Sequence, residues 1–192
     1  MHAFSRFASF LLFVFSLGLI ASALPTAPGG NNALATRYGE DKATILYGLI
    51  ADLDVKIKAD VDVCLKAKTL DEVKIVVDTI SADVQACAKA IVALGPVKLD
   101  ANVEADIAAK IAAIILVIIK ACVDISVKFG LEVVIAVFAK IDLALKCLLV
   151  NIGICVEGIL VLIAKIVVST CNDLFVKLNF KLCLAVLAAV RL

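Results

Sequence analysis

The chain contains 192 residues, of which 64% are hydrophobic and 19% are charged, and its formal net charge is +1. The lysines stand singly at wide spacing, so there is no basic cluster of the kind that binds nucleic acid, and we expect no nucleic-acid partner. The only histidine is His2, and tryptophan is absent. Catalysis or zinc binding that depends on imidazole is therefore disfavoured.

The N-terminal segment has the three parts of a secretory signal peptide. Arg6 lies in a short n-region, Phe7 to Ile20 is an apolar run of h-region length, and Ala21-Ser22-Ala23 is an A-x-A cleavage site. We expect cleavage after Ala23, which also removes His2, and secretion to the extracellular space. The alternative is an uncleaved anchor that keeps the protein at a membrane.

Three segments follow from this pattern. Residues 1–23 are the predicted signal peptide, residues 24–38 a flexible N-terminal tail rich in Pro, Gly and Asn, and residues 39–192 a single helical domain. Residues 24–106 carry 13 acids and 9 bases, whereas residues 107–192 carry 5 acids and 9 bases. The two halves are therefore expected to attract each other, and an anionic membrane surface is the alternative partner of the cationic half.

Apolar residues recur at helical spacing through the mature chain, and Gly, Pro or Asn separates most of the periodic stretches. A capping box at Thr69 and Glu72 and a cap at Asp100 mark two helix starts. The first three predicted helices run from about Glu40 to Lys68, from Thr69 to a stop at Gly95-Pro96, and from Asp100 to a stop at Lys128-Phe129-Gly130. The fourth runs from Leu131 to Val150 and is followed by a break at Asn151-Ile152-Gly153. The last two run from Ile154 to Ser169 and from Asp173 to Val190, with Asn172 or Asp173 as the cap of the final helix.

The stretch from Asp52 to Val63 is ambiguous, because polar and apolar residues alternate there as they do in a strand. Acids and bases in the same stretch stand four residues apart, which stabilises a helix, in two ladders: Asp52, Lys56, Asp60 and Asp54, Lys58, Asp62, Lys66. Helix is therefore the favoured interpretation. Short connections favour antiparallel neighbours, and the predicted fold class is an all-α, up-and-down bundle of five or six helices with no apparent internal repeat.

From Ile107 onward the predicted helices are apolar around most of their circumference. Three explanations compete: burial behind the more polar first half, adsorption to lipid or another hydrophobic surface, and membrane spans. Two windows, Ala112 to Val127 and Leu143 to Ala164, have the hydropathy of spans, but each contains charged residues that are costly near a bilayer centre.

Seven cysteines lie in the mature chain, and the secretory route permits disulfides. The pair that local geometry favours is Cys147 with Cys155, because these residues flank the expected break at Asn151–Gly153. The odd number leaves one thiol free or available for an intermolecular bond. The other cysteines, some of which are expected to be buried small hydrophobes, are Cys64, Cys87, Cys122, Cys171 and Cys183.

No motif for catalysis, phosphate, nucleotide, metal or calcium binding occurs, so we expect no enzyme, no cofactor, no metal and no small-molecule substrate. Acid pairs such as Asp52 with Asp54 diverge on a helix, and each acid has a lysine four residues away. Solvated ion pairs are therefore favoured over an acid–base site.

A signal peptide, a short Pro/Gly tail and Ala/Val/Ile-rich helices together resemble small secreted α-helical proteins of filamentous fungi. The stretches Asp71-Glu72-Val73 and Ile80-Ser81-Ala82-Asp83-Val84 are loosely similar to fungal hydrophobic-surface-binding proteins, although the many cysteines depart from that pattern. The resemblance implies a secreted helical protein that adsorbs to apolar surfaces.

The leading hypothesis is a non-enzymatic secreted helical protein that acts through apolar surface, by binding lipid or a hydrophobic surface or by self-association. One alternative is an integral membrane protein with two to four spans in residues 107–192. Another is a soluble secreted module that recognises a protein partner through its acidic first half.

Overall fold

The computed structural model describes the backbone of residues 33–190 and the side-chain surroundings of residues 42–190. The predicted signal peptide, its cleavage site at Ala23 and the first part of the predicted tail lie outside the described residues. The described chain forms six helices and no strand, which confirms the all-α prediction. The helices are α1 (Ala33–Lys66), α2 (Leu70–Leu94), α3 (Ala101–Phe129), α4 (Leu131–Cys155), α5 (Ile159–Lys177) and α6 (Lys181–Ala189).

The strand-like stretch is helical, as the acid–base spacing indicates. Leu53, Ile57 and Val61 are buried at four-residue intervals within α1, whereas Val55 and Val63 face solvent. A strand would have placed all five valine, leucine and isoleucine side chains on one face. The helix itself begins at Ala33, inside the segment that the sequence assigns to the tail.

The predicted caps of α2 and α3 are both present. The backbone N–H of Glu72 donates to Thr69 Oγ1 (3.3 Å), and Glu72 Oε2 accepts from the backbone N–H of Lys68 (2.7 Å). Asp100 Oδ1 accepts from two amides in the first turn of α3, each at 3.0 Å. These bonds satisfy N–H groups that a helix start leaves unpaired.

The predicted break at Asn151-Ile152-Gly153 is wrong, because α4 continues to Cys155. Tertiary contacts hold this stretch helical: Asn151 Nδ2 donates to the carbonyl of Ala88 (3.1 Å), and Ile152 is fully buried. Gly153 accommodates Leu160, whose Cδ1 would lie 2.5 Å from an added Cβ. The chain turns instead at Val156–Gly158, where Gly158 adopts a left-handed conformation (φ 85°).

The predicted boundary between the last two helices is also wrong. Asn172 and Asp173 lie inside α5, which bends at Cys171 (φ −145°, ψ 25°) and continues to Lys177. The chain turns at Asn179, whose φ of 61° is the left-handed conformation that asparagine tolerates. The final helix, α6, is therefore only nine residues long.

A side chain of α4 caps the start of α6. Phe180, at the N-cap, makes no side-chain cap bond, and Asp142 instead accepts from the backbone N–H groups of Leu182 and Cys183, both at 2.9 Å. Asp142 is only 4% exposed, so this buried carboxylate has backbone donors as its partners. It joins the last helix to the middle of the bundle.

Consecutive helices run antiparallel, and helices that are next but one run parallel. Lys56 of α1 pairs with Asp83 of α2, and Cys87 of α2 contacts the carbonyl of Leu49, so the numbering of α1 and α2 runs in opposite directions. In contrast, α2 and α4 meet through Asp78 with Lys140 and through Ala88 with Asn151. This alternation confirms the up-and-down arrangement.

The helices form two layers, with α1, α3 and α5 in one and α2, α4 and α6 in the other. The most extensive pairings join α2 with α4, α3 with α5 and α4 with α6. Two contacts join α1 to α3: the ammonium group of Lys110 lies over the ring of Tyr47, and Lys128 donates to the carbonyl of Ala67. The fold is thus a stack of three helical hairpins, α1–α2, α3–α4 and α5–α6.

The stacking of the first two hairpins reveals an internal similarity that inspection of the sequence did not find. Contacts between the first two hairpins join residues 61 to 63 positions apart. At an offset of 62, the residues of α1 that recur in α3 include Lys58, Ala59, Val61, Asp62 and Lys66, which match Lys120, Ala121, Val123, Asp124 and Lys128.

The third hairpin contacts the second in a different register. Asp142 of α4 accepts from Leu182 and Cys183 of α6, and the Phe138 ring packs against Phe180, so these contacts join residues 40 to 42 positions apart. The start of α5 lies beside α3, since a Cβ added at Gly158 would stand 3.4 Å from Glu104 Oε1. The 19 residues of α5 are fewer than the 29 of α3, so α5 ends before α3 does.

The middle hairpin contributes the largest share of the buried core, which accounts for much of the apolar character of residues 107–192. Its residues Ile111, Ile115, Leu145 and Leu148 are all buried, because α3 and α4 have a neighbouring hairpin on each side. The more polar first hairpin covers one side. The other side is covered by the third hairpin, which is itself apolar.

We expect Asp142→Ala to destabilise the domain by about 1–3 kcal/mol, because the buried N–H groups of Leu182 and Cys183 lose their acceptor. Denaturant unfolding followed by circular dichroism measures the change. Asp124→Ala, at an exposed position of α3, is the control and is expected to stay within about 0.5 kcal/mol of the parent. Equal effects of the two substitutions would contradict the role assigned to Asp142.

Candidate functional site

The acid–base ladders of α1 lie at the α1–α2 interface and on the solvent face. Asp54 Oδ2 pairs with Lys58 Nζ at 2.6 Å, as its spacing predicts. Lys56 pairs across the hairpin with Asp83 (3.4 Å) rather than within its own helix. No group of three or more His, Cys, Asp or Glu side chains within residues 42–190 is arranged to hold a metal ion.

Asp60 is the least satisfied member of these ladders. Its Oδ2 atom is buried and has no hydrogen-bond partner among the described residues. Burial raises the pKa of Asp60, the nearby Asp83 carboxylate raises it further, and Lys56 acts in the opposite direction. The charged form of Asp60 therefore opposes folding.

We expect Asp60→Asn to raise the free energy of unfolding at pH 7 by about a few tenths of a kcal/mol, since Asp60 is only partly buried even though its Oδ2 atom is enclosed. The folded state binds this proton more tightly than the unfolded state, so the cost grows as pH rises above 3.8. The difference should vanish at pH 3, where Asp60 is protonated in both states. Asp62→Asn, on the exposed face, is the control; a gain that persists at pH 3 would contradict this assignment.

All seven cysteines are free thiols in the structure, and none of the expected disulfides is present among the described residues. Six are buried, and Cys147 alone is partly exposed. Burial raises the pKa of Cys64 and of Cys87 to about 11. Burial also raises the pKa of the remaining buried thiols, namely Cys122, Cys155, Cys171 and Cys183.

Cys147 and Cys155 both lie on the unbroken helix α4, so the break on which their predicted pairing rests is absent. Eight residues of helix separate two Cα atoms by about 12 Å, which is well beyond the span of a disulfide. Cys155 instead donates its thiol to the carbonyl of Gly95 (3.1 Å), where it ties the end of α4 to the α2–α3 turn.

We expect a single thiol per chain to react quickly with Ellman's reagent in dilute native protein, because thiol exchange requires an accessible thiolate. Cys147→Ser should abolish the fast phase, and Cys155→Ser should leave it unchanged. All seven thiols should react in denaturant. Two or more fast native thiols would contradict the observed burial.

Exposed apolar side chains lie in the last turns of α1, α3 and α5. Leu65, Val127 and Val176 each stand one residue before the last lysine of their helix and are 38%, 80% and 65% exposed. Lys128 donates to the carbonyl of Leu65, so the ends of α1 and α3 lie side by side. We call these three residues the apolar row.

Each member of the apolar row is followed directly by a lysine, in the order Lys66, Lys128 and Lys177. Lys128 donates to the carbonyl of Ala67 at the end of α1, and its Nζ lies 5.5 Å from the Phe129 ring centroid. The apolar row therefore combines exposed aliphatic tips with basic groups at helix C-termini, where cations are favoured.

An open cavity adjoins the first member of the apolar row. Its volume is about 340 Å³, and exposed Val63 and Ile75 form its walls together with Ala67 and Val76. Lys66 and Glu72 stand at its edge. The cavity extends the apolar surface from the end of α1 onto the first turns of α2.

The helix α5 is the one described helix that has the length and hydropathy of a membrane span, and one third of its apolar window is buried. Neither window predicted from sequence forms such a helix. Ala112 to Val127 lies in α3, whose inner face is buried in the core, and Leu143 to Ala164 is divided by the turn at Val156–Gly158.

Sequence inspection missed the apolar row because it recognised no repeat. The available signal was the spacing of an acid and a lysine at the end of each first helix, in Asp62–Lys66, Asp124–Lys128 and Asp173–Lys177. A scan against protein-family models and a search of curated proteins find no match to this chain. A function can therefore be argued only from the residues of this chain and their exposure.

Proposed function

We propose that this is a non-enzymatic secreted protein that adsorbs reversibly to lipid or to another hydrophobic surface through the apolar row. The observation that carries the proposal is the exposure of an apolar side chain beside a lysine in the last turn of each of α1, α3 and α5. Exposed apolar side chains edged by basic groups suit contact with an interface. The loose resemblance to hydrophobic-surface-binding proteins agrees with this role.

The chemistry of the apolar row suits an interface between water and hydrocarbon. Lysines beside aliphatic side chains keep their ammonium groups in water while their methylene stems contact the apolar phase. Transfer of three partly exposed aliphatic side chains contributes on the order of 3 kcal/mol. Adsorption of that strength is reversible and depends on neighbouring apolar residues such as Ile75 and Val133.

The apolarity of α5 is the observation that favours the membrane-spanning alternative. Carbonate extraction of the expressed full chain separates the two functions, because a spanning protein stays in the pellet and an adsorbed protein is released. Recovery of protein that begins at Leu24 from culture medium would support secretion after cleavage at Ala23. A full-length chain retained in carbonate-washed membranes would overturn the proposal.

The direct test is co-sedimentation of residues 24–192 with anionic liposomes. We expect the triple substitution Leu65→Ser, Val127→Ser and Val176→Ser to lower the partition coefficient about tenfold or more, since apolar area is lost at all three contacts. The three positions are exposed, so the fold should persist, which circular dichroism verifies.

A matched control carries Ile45→Ser, Val55→Ser and Val92→Ser, which remove comparable exposed side chains away from the apolar row. This control should bind liposomes like the parent. Equal losses in the two triple variants would show that adsorption does not use the apolar row, and a parent protein that binds neither liposomes nor a phenyl support would overturn the proposed function.

A further inference from the structure

The open cavity beside the end of α1 lies in the groove between α1 and α2. Val63 lines it from α1 and Ile75 from α2, and these two side chains are 56% and 67% exposed. Between them, Ala67 is buried and Val76 is partly buried against the core. The lining is therefore aliphatic from both helices, which is the surface that a hydrocarbon chain requires.

The apolar part of this groove has a limited length. Farther along the groove, Lys56 of α1 pairs with Asp83 of α2 at 3.4 Å and so bridges the two helices. A second, smaller cavity at that point is lined by the same two residues and by Asp52. Asp83 lies eight helical residues beyond Ile75, which is about 12 Å. A hydrocarbon chain that enters beside the end of α1 therefore meets charged groups after about that distance.

The cavity has one charged group at its edge that is free to meet a ligand. Glu72 stands at the edge, but its Oε2 atom accepts the backbone N–H of Lys68 (2.7 Å) in the cap of α2. Lys66 also stands at the edge, and within residues 42–190 no carboxylate lies at ion-pair distance from it. The charge that the cavity offers to a ligand is thus positive.

A second ammonium group lies close to the same edge. Lys128 Nζ reaches the carbonyls of Leu65 (3.4 Å) and of Ala67 (2.5 Å), and Ala67 lines the cavity. Lys74, on the first turns of α2, is in contrast neutralised by Asp71 at 3.0 Å. The free and nearby bases therefore favour an anionic head group over a cationic one.

We propose that this cavity binds one molecule of an anionic amphiphile with a single aliphatic chain, such as a medium-chain carboxylate. The chain lies between Val63 and Ile75, and the head group pairs with Lys66. The cavity volume of about 340 Å³ is at the lower end of the range of ligand sites, about 300–1,000 Å³, so it suits one short chain. Burial of the chain against exposed aliphatic walls and the charge-assisted contact at Lys66 both favour the complex.

This site is separate from the apolar row and does not depend on surface adsorption. Neither Val63 nor Lys66 belongs to the apolar row, and a cavity that takes one dissolved molecule saturates, whereas a surface does not. The triple substitution in the apolar row should therefore leave the binding of the single amphiphile unchanged. The two proposals can fail independently.

The first test compares two head groups on one chain. Isothermal titration calorimetry of residues 24–192 with dodecanoate, below its micelle concentration, should show saturation at one molecule per chain. Dodecyltrimethylammonium, which has the same chain and a positive head group, should bind about tenfold more weakly. Lys66→Glu should lower the dodecanoate affinity about tenfold, and Lys120→Glu, at an exposed position of α3, is the control that should not.

The second test changes the wall of the cavity. Val63→Asp places a carboxylate beside the chain and should lower the dodecanoate affinity about tenfold or more. Val55→Asp is the matched control, because Val55 lies on the same helix, is 68% exposed and does not line the cavity. Circular dichroism verifies that both variants keep the parent fold, as their exposure predicts.

Three results would overturn the proposal. Equal dodecanoate affinities of the Val63→Asp and Val55→Asp variants would show that the chain does not use this cavity. Equal affinities of the parent for the two head groups would show that Lys66 does not select the ligand. Uptake of dodecanoate without saturation would indicate adsorption to exposed surface in place of a site.

Discussion

The burial of each hairpin against its neighbour is the constraint on which the rest of the structure depends. A single hairpin of this chain cannot hide its apolar residues, and the middle hairpin needs a partner on both sides to bury Ile111, Ile115, Leu145 and Leu148. Parallel packing of helices that are next but one provides those two partners. Consecutive helices then alternate in direction, and the ends of α1 and α3 lie side by side.

The first two hairpins stack in register, and the third does not. Lys128 joins the end of α3 to the end of α1, so Leu65 and Val127 lie at the same end of the molecule. The shorter third hairpin meets the middle of α4 through Asp142 and Phe138. Val176 is therefore exposed at a different level along the bundle.

Polar groups act mainly at the ends and joints of this stack. Asp142 holds the short α6 against α4, Asn151 joins α4 to α2, and Lys128 joins the end of α3 to the end of α1. Asp142 and Lys128 bond backbone groups at helix ends, which lack helical partners, whereas Asn151 bonds a carbonyl in the middle of α2. Aliphatic packing alone is weakly directional, so these contacts set the register between neighbouring hairpins.

The sequence by itself determined the helical character and the starts of α2 and α3. Periodicity and caps act within a few residues, so Thr69, Glu72 and Asp100 indicate helix starts without knowledge of distant contacts. Only the tertiary structure decided where α4 ends, how long α5 is and which cysteines are buried. The local sequence at Asn151 and Gly153 predicts a break in the helix, but contacts with Ala88 on α2 and Leu160 on α5 keep that stretch helical. The pairing of hairpins likewise arises only when residues about 40 to 60 positions apart become neighbours, which no local pattern records.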